Sequence, residues 1–156
     1  MRFLFTVFIA IIAFTAGVWY MGGFESVPAV SNVPDTNTPT SAAQATYMNA
    51  DENMIRVTTP QPGAIVPSTF TVSGQARGNW YFEASFPLEV VDRNGAQLLI
   101  LPVQAQGEWM TTEFVPFTTQ IIVPNYKGAA TLVLHKDNPS GLPENDASVS
   151  IPITIQ

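Results

Sequence analysis

The sequence predicts an all-β fold, an antiparallel β-sandwich of about seven strands, and three observations carry that expectation. After Met54 the apolar residues recur with a period of two, no stretch there keeps a 3.6-residue period, and Gly, Pro, Asn and Asp separate the apolar runs at short intervals. Alternation of this kind sends one set of side chains into a core and leaves the other facing water.

The expected strands are 55–59, 69–76, 80–90, 97–106, 113–123, 129–136 and 147–155. In the second, Phe70, Val72, Gly74 and Ala76 share the inward face. In the third, Trp80, Phe82, Ala84, Phe86, Leu88 and Val90 point inward against Tyr81, Glu83, Ser85, Pro87 and Glu89. The last strand turns Val149, Ile151, Ile153 and Ile155 inward. Seven short strands with turn signals between them fit an immunoglobulin-like sandwich, which commonly buries a tryptophan, and Trp80 is the candidate. Pro87, Pro102, Pro116 and Pro152 fall inside these runs and should lie at edges or irregularities, because proline donates nothing to a ladder.

Ahead of the domain, residues 3–24 carry no charge. At ~1.5 Å per residue a helix of that length crosses a ~30 Å hydrocarbon core. Trp19 and Tyr20 stand where an interfacial aromatic belt belongs, and Arg2 before the run with Glu25 after it keeps the N-terminus cytoplasmic and sends the rest outside. The competing reading is a cleaved signal peptide, with Ala13, Thr15, Ala16 and Gly17 near a cut and a secreted product. The length of the apolar run favours the anchor. Residues 25–53 then change to Pro, Ser, Thr, Ala and Asn without periodicity and read as a flexible linker with a reach of ~30 Å. The organisation is an anchor at 1–24, a linker at 25–53 and a sandwich domain at 54–156.

Composition narrows the chemistry. With no cysteine, disulfides, thiolate catalysis and Cys-ligated metals are excluded. A net charge of −6 with only six Lys and Arg, scattered singly, offers phosphates no basic stripe, so nucleic acid is not an expected partner. His135 is the only histidine, faces outward on its strand, and lacks nitrogen or sulfur companions for a metal. No serine sits in a Gly-x-Ser-x-Gly elbow. Glu83, Glu108, Glu113, Glu144 and Asp146 have no spacing diagnostic of a glycosidase pair, and a sandwich this small lacks a cleft deep enough to tune one. The sequence therefore gives no cofactor, no metal and no enzyme, and a domain that stays monomeric.

Strand parity gathers the informative loops. Connections alternate between the ends of an antiparallel sandwich, so Asn94-Gly95, a hairpin signal, shares a plain end with 61–68 and 124–128. Loops 77–79, 107–112 and 137–146 share the other end, where binding surfaces of such domains are usually built. The candidate binding residues are Arg77, Asn79, Tyr81, Glu108, Trp109, Asp137, Asn138, Glu144 and Asp146. Tyr81 is taken as outward beside Glu83. Trp109 is either a plug capping the sandwich or an exposed platform, with the plug favoured. Oxygen donors Asp137, Asn138, Glu144, Asn145 and Asp146 suit calcium, but Pro139 and Pro143 and the turn chemistry of Asn and Asp favour a braced loop. By the same parity the linker enters beside these loops and turns them back toward the membrane.

Several local motifs resemble those of the immunoglobulin-like domain found beside GerM-type domains in bacterial spore-germination and related envelope proteins. They are Val72-Ser73-Gly74-Gln75-Ala76, Phe82-Glu83-Ala84, Gly107-Glu108-Trp109 ahead of the strand at 114–117, Asp137-Asn138-Pro139-Ser140-Gly141, and Ile151-Pro152-Ile153. The resemblance implies a bacterial, surface-exposed, non-enzymatic module. The expected function is an anchored extracytoplasmic module that binds an envelope protein or a wall or surface polymer through the three-loop end. The alternatives are an architectural spacer and a carboxylate-based hydrolase.

Overall fold

The computed structural model describes residues 43–156. The expected anchor at 1–24 and the first part of the expected linker lie outside the described residues. The alternating segments become strands β1 (Thr46–Met48), β2 (Ile55–Thr59), β3 (Ala64–Val66), β4 (Thr69–Arg77), β5 (Ser85–Asp92), β6 (Gln97–Gln104), β7 (Phe114–Ile122), β8 (Gly128–His135) and β9 (Ser148–Ile155). No α-helix forms among the described residues; single 3-10 turns occupy Gly78–Trp80 and Pro143–Asn145.

Two sheets result. One has the order β1-β9-β8-β5-β6, with β3 added in parallel to β9, and the other has the order β2-β4-β7. All the other strand pairs are antiparallel. The inward sets of both sheets meet in one core that includes Ile55, Val72, Phe86, Leu88, Val90, Phe117, Ile121, Leu132, Leu134 and Ile151. Phe86 and Phe117, from opposite sheets, meet edge to face with ring centroids 5.2 Å apart, the arrangement that aromatic quadrupoles favour. Trp80 is fully buried as expected, yet its indole Nε1 finds no hydrogen-bond partner among the described residues.

The expected strand 80–90 does not exist as one element. After the 3-10 turn at Gly78–Trp80, Phe82 and Ser85 exchange both backbone hydrogen bonds around Glu83 and Ala84, whose φ angles are 49° and 63°. Two central residues at positive φ make a tight two-residue reversal, which normally selects Gly or Asn. The alternation restarts only at Ser85, so the two residues before the turn exchange faces. Phe82, expected in the core, is 43% exposed; Tyr81, expected outward, is 3% exposed and belongs to the core. A hairpin forms where the Asn-Gly signal stands, but of the two only Gly95 takes a positive φ, 82°. Its N–H reaches the Asp92 carbonyl, and the Asp92 N–H bonds to the Ala96 carbonyl across a three-residue loop instead of the two-residue turn.

The prolines sit where the ladder tolerates them. Pro102 and Pro116 lie on β6 and β7, the edge strands of their sheets. Pro152 falls between the part of β9 that pairs with β1 and the part that pairs with β3. Pro87 lies on an interior strand, one residue before its pairing with β8 begins at Leu88.

Strand β1 lies within the stretch whose composition reads as linker. It runs antiparallel to β9, pairing Thr46 with Ser150 and Met48 with Ser148. The chain therefore travels toward the three-loop end along β1 before β2 begins there. Its first described residue, Ala43, is close enough to Gly63 that a Cβ on the glycine would come within 3.0 Å of it, and the Gly63 N–H bonds to the Pro152 carbonyl. This corrects the expectation that the linker enters beside the loops. The described chain starts on the plain-end half of β9, and Gln156, bonded to Val66, is at the plain end as well.

Candidate functional site

The three loops do share one end. The Asp137 N–H donates to the Trp80 carbonyl at 3.0 Å, the Gly78 N–H to the Glu113 carbonyl at 3.2 Å, and the Ala105 N–H to the Ala84 carbonyl at 2.8 Å. The segment 78–84 is thus stitched to both of its neighbours. Gly78 is there for a steric reason: a Cβ at that position would stand 2.0 Å from the Thr111 carbonyl oxygen and 2.2 Å from that of Trp109. The 109–111 backbone lies directly on it.

Arg77 serves this scaffold. Its Nε donates to the Asn53 carbonyl and its Nη1 to the Thr112 carbonyl, each at 3.0 Å, and Glu113 is 3.8 Å away. The guanidinium also stacks over the Phe114 ring at 4.1 Å, and Arg56 covers that ring at 4.4 Å. Arg77 is therefore engaged within the fold. Trp109 is half-buried against the core, so it caps the sandwich end as a plug. Tyr81 is a core anchor. Its hydroxyl donates to the Val115 carbonyl at 2.9 Å, its ring meets Phe86 at 5.2 Å, and burial pushes its phenol well above the usual range.

The 137–146 loop is braced from within. Asn138 Nδ2 donates to the Leu142 carbonyl at 2.8 Å and to Asp146 Oδ1 at 2.7 Å; Ser140 Oγ donates to Asn138 Oδ1 at 2.5 Å, and Asn145 Nδ2 donates to Ser140 Oγ at 3.0 Å. Asn49, just after β1, ties the loop down by donating to the Asp146 carbonyl at 3.0 Å. Among the described residues no three acidic or histidine side chains come together as metal ligands would. His135 faces outward as expected, half-exposed, with Nε2 3.4 Å from Glu89 Oε2.

Of the nine candidate residues, Asn79, Glu108, Glu144 and Asp146 are exposed, and Asp137 and Asn138 are half-exposed. Glu108 folds its carboxylate back onto the Met110 N–H at 2.9 Å. Three exposed residues at this end were absent from that set: Phe82 at 43%, Met110 at 74% and Leu142 at 50%. Each of the three neighbouring loops thus holds one large apolar side chain toward water. Around them stand the carboxylates Glu83, Glu108, Glu113, Glu144, Asp137 and Asp146, with Lys136, Arg77 and Arg56 as local cations. Met110 and Leu142 were legible in principle, as apolar residues inside polar loops. Phe82 was hidden by the turn at Glu83-Ala84.

A cleft adjoins this end. Ser85 and Pro87 of β5, Ile100, Leu101 and Pro102 of β6, and Asp137 line a cavity of about 220 Å³. Burial, and then the neighbouring Glu83 charge, raise the Asp137 carboxyl above its ordinary value, while Lys136 offsets part of the shift.

Residues 54–141, more than half of the chain, match the family of immunoglobulin-like domains of bacterial spore germination. The chain belongs to that family. No curated protein matches it.

Proposed function

We propose that this member of the spore-germination immunoglobulin-like family is a non-catalytic binding module of the bacterial cell envelope, held at the membrane by residues 1–24 and engaging an envelope partner through its three-loop end. The observation that carries the reading is the trio Phe82, Met110 and Leu142, one on the 78–84 segment and one on each of the other two loops, exposed on a scaffold whose backbone is cross-linked by internal hydrogen bonds. Exposed large apolar groups gathered on braced loops mark interaction surfaces, since holding them in water serves no folding purpose. The described chain starts on the plain-end half of β9 and runs toward the loops from the opposite end. A partner lying out in the envelope fits that direction better than one embedded in the membrane. The acidic surroundings argue against an anionic lipid surface or an anionic wall polymer as the ligand and favour a protein.

Purification of the full-length chain from detergent-solubilised membranes tests this reading. The wild-type chain should bring down a stoichiometric envelope protein. A variant carrying Phe82→Ser, Met110→Ser and Leu142→Ser should lose it, and Asn94→Ser, at the plain end, should retain it. Retention by the triple variant would leave an architectural spacer as the better account.

A further inference from the structure

The loop tips explain where a partner would sit, but not what chemistry it must bring. The cleft formed by the paired strands β5 and β6 with Asp137 supplies that. Its walls are apolar: Pro87 and Pro102 stand directly opposite each other, Ile100 is 53% exposed, and Leu101 is half-buried behind them. At the end nearest the loops the lining becomes a carboxylate, Asp137. Among the described residues it is not within ion-pair distance of a cation. The volume, about 220 Å³, falls below the ~300–1,000 Å³ usual for small-molecule sites, so it suits one side chain and not a whole ligand.

The edge here is also closed to strand addition. Facing prolines cannot exchange ladder hydrogen bonds, so the Pro102 nitrogen faces the outer edge of β6, where it removes the donor that an added peptide strand needs. What remains is a short apolar trough ending in a carboxylate that makes no direct ion pair among the described residues. A lysine or arginine has the matching form, an aliphatic stem that covers apolar surface and a cationic head. We infer that this cleft is a socket for a single basic side chain of a protein partner, its stem along Pro87, Pro102 and Ile100 and its head at Asp137. A cation arriving there gains a charge-assisted hydrogen bond to the Asp137 carboxylate. This inference rests on the loop-end reading, because the cleft opens beside the same loops.

The test uses the full-length, isotopically labelled chain in detergent micelles, titrated with N-acetyl-arginine methylamide and, as the uncharged counterpart, N-acetyl-norleucine methylamide. The arginine derivative should shift the amide resonances of Ser85, Ile100, Leu101 and Asp137 saturably, and the norleucine derivative should bind at least about five-fold more weakly. Asp137→Asn, which keeps the side-chain shape, should weaken arginine binding about five- to ten-fold, the effect of one charge-assisted contact in a partly exposed site. Ile100→Ala should weaken both probes. Equal binding of the two probes, no saturable shift, or an unchanged affinity in Asp137→Asn would overturn the socket. Photocrosslinking from Met110 in cells separates this failure from that of the loop-end reading. Partner capture at Met110 with no probe binding leaves the reading and removes the socket. Probe binding with no capture at Met110 removes the reading and the partner assigned to the socket.

Discussion

The Tyr81 hydroxyl donates to the Val115 carbonyl across the sandwich at 2.9 Å, tying the segment ahead of β5 to β7 of the opposite sheet. Its neighbour Phe82 looks outward. Tyr81→Ala should therefore cost about 3–5 kcal/mol as a buried aromatic truncation. Tyr81→Phe should cost about 1–3 kcal/mol by leaving a buried carbonyl without its partner. Phe82→Ala should cost less than about 1 kcal/mol. Urea denaturation of the three variants checks the order, and a larger loss at Phe82 than at Tyr81 would contradict the assigned faces.

Gly78→Ala should destabilise the domain by about 3 kcal/mol, at the upper end of overpacking costs, because the added methyl meets backbone and not a yielding side chain. Gly141→Ala has open space and should suffer only the strain of its φ of 64°. Thermal unfolding of the pair separates collision from backbone preference. Losses of equal size would mean that the 109–111 backbone does not rest on Gly78.

Asp92 should make stability depend on acid. Its carboxylate accepts the N–H groups of Ala96 at 2.8 Å and Asn94 at 2.7 Å, and the Ala96 bond, with the Asn94 bonds adding to it, holds its pKa below the ordinary value. A depressed folded-state pKa means stabilisation that is present above the unfolded value, about 3.9, and is lost as pH falls through the folded one. Asp92→Asn should lower the melting temperature at neutral pH. The difference from wild type should shrink below about pH 4, and a gap that stays constant into acid would remove Asp92 from this role.

Period-two alternation made most of the core legible in the sequence, because each inward set packs against a facing sheet that needs apolar neighbours every second residue. Phe70, Val72, Ala76, Leu88, Val90, Leu132, Leu134, Ile151 and Ile153 are buried accordingly. The parity of the loops was legible for the same reason. Three features were not. Glu83-Ala84 carries no turn signal, and its reversal is imposed by the tertiary bonds of Trp80 and Ala84 to the flanking loops. Strand β1, with only Thr46–Met48, is too short to show a period and gains its pairing from β9. Strand β3 depends on a parallel partner distant in sequence. The consequence for the site is direct. The turn reverses Tyr81 and Phe82, so the aromatic that sequence alone offers as a surface contact is a core anchor and the neighbouring one is exposed.

The most direct measurement is photocrosslinking in intact cells from a reactive residue placed at Met110, at the tip of the three-loop end, and from one placed at Asn94, at the plain end of the same full-length chain. The account predicts a discrete crosslinked protein from Met110 that disappears when Phe82 and Leu142 are both changed to Ser, with no such product from Asn94. Capture from Asn94 and none from Met110 would contradict it.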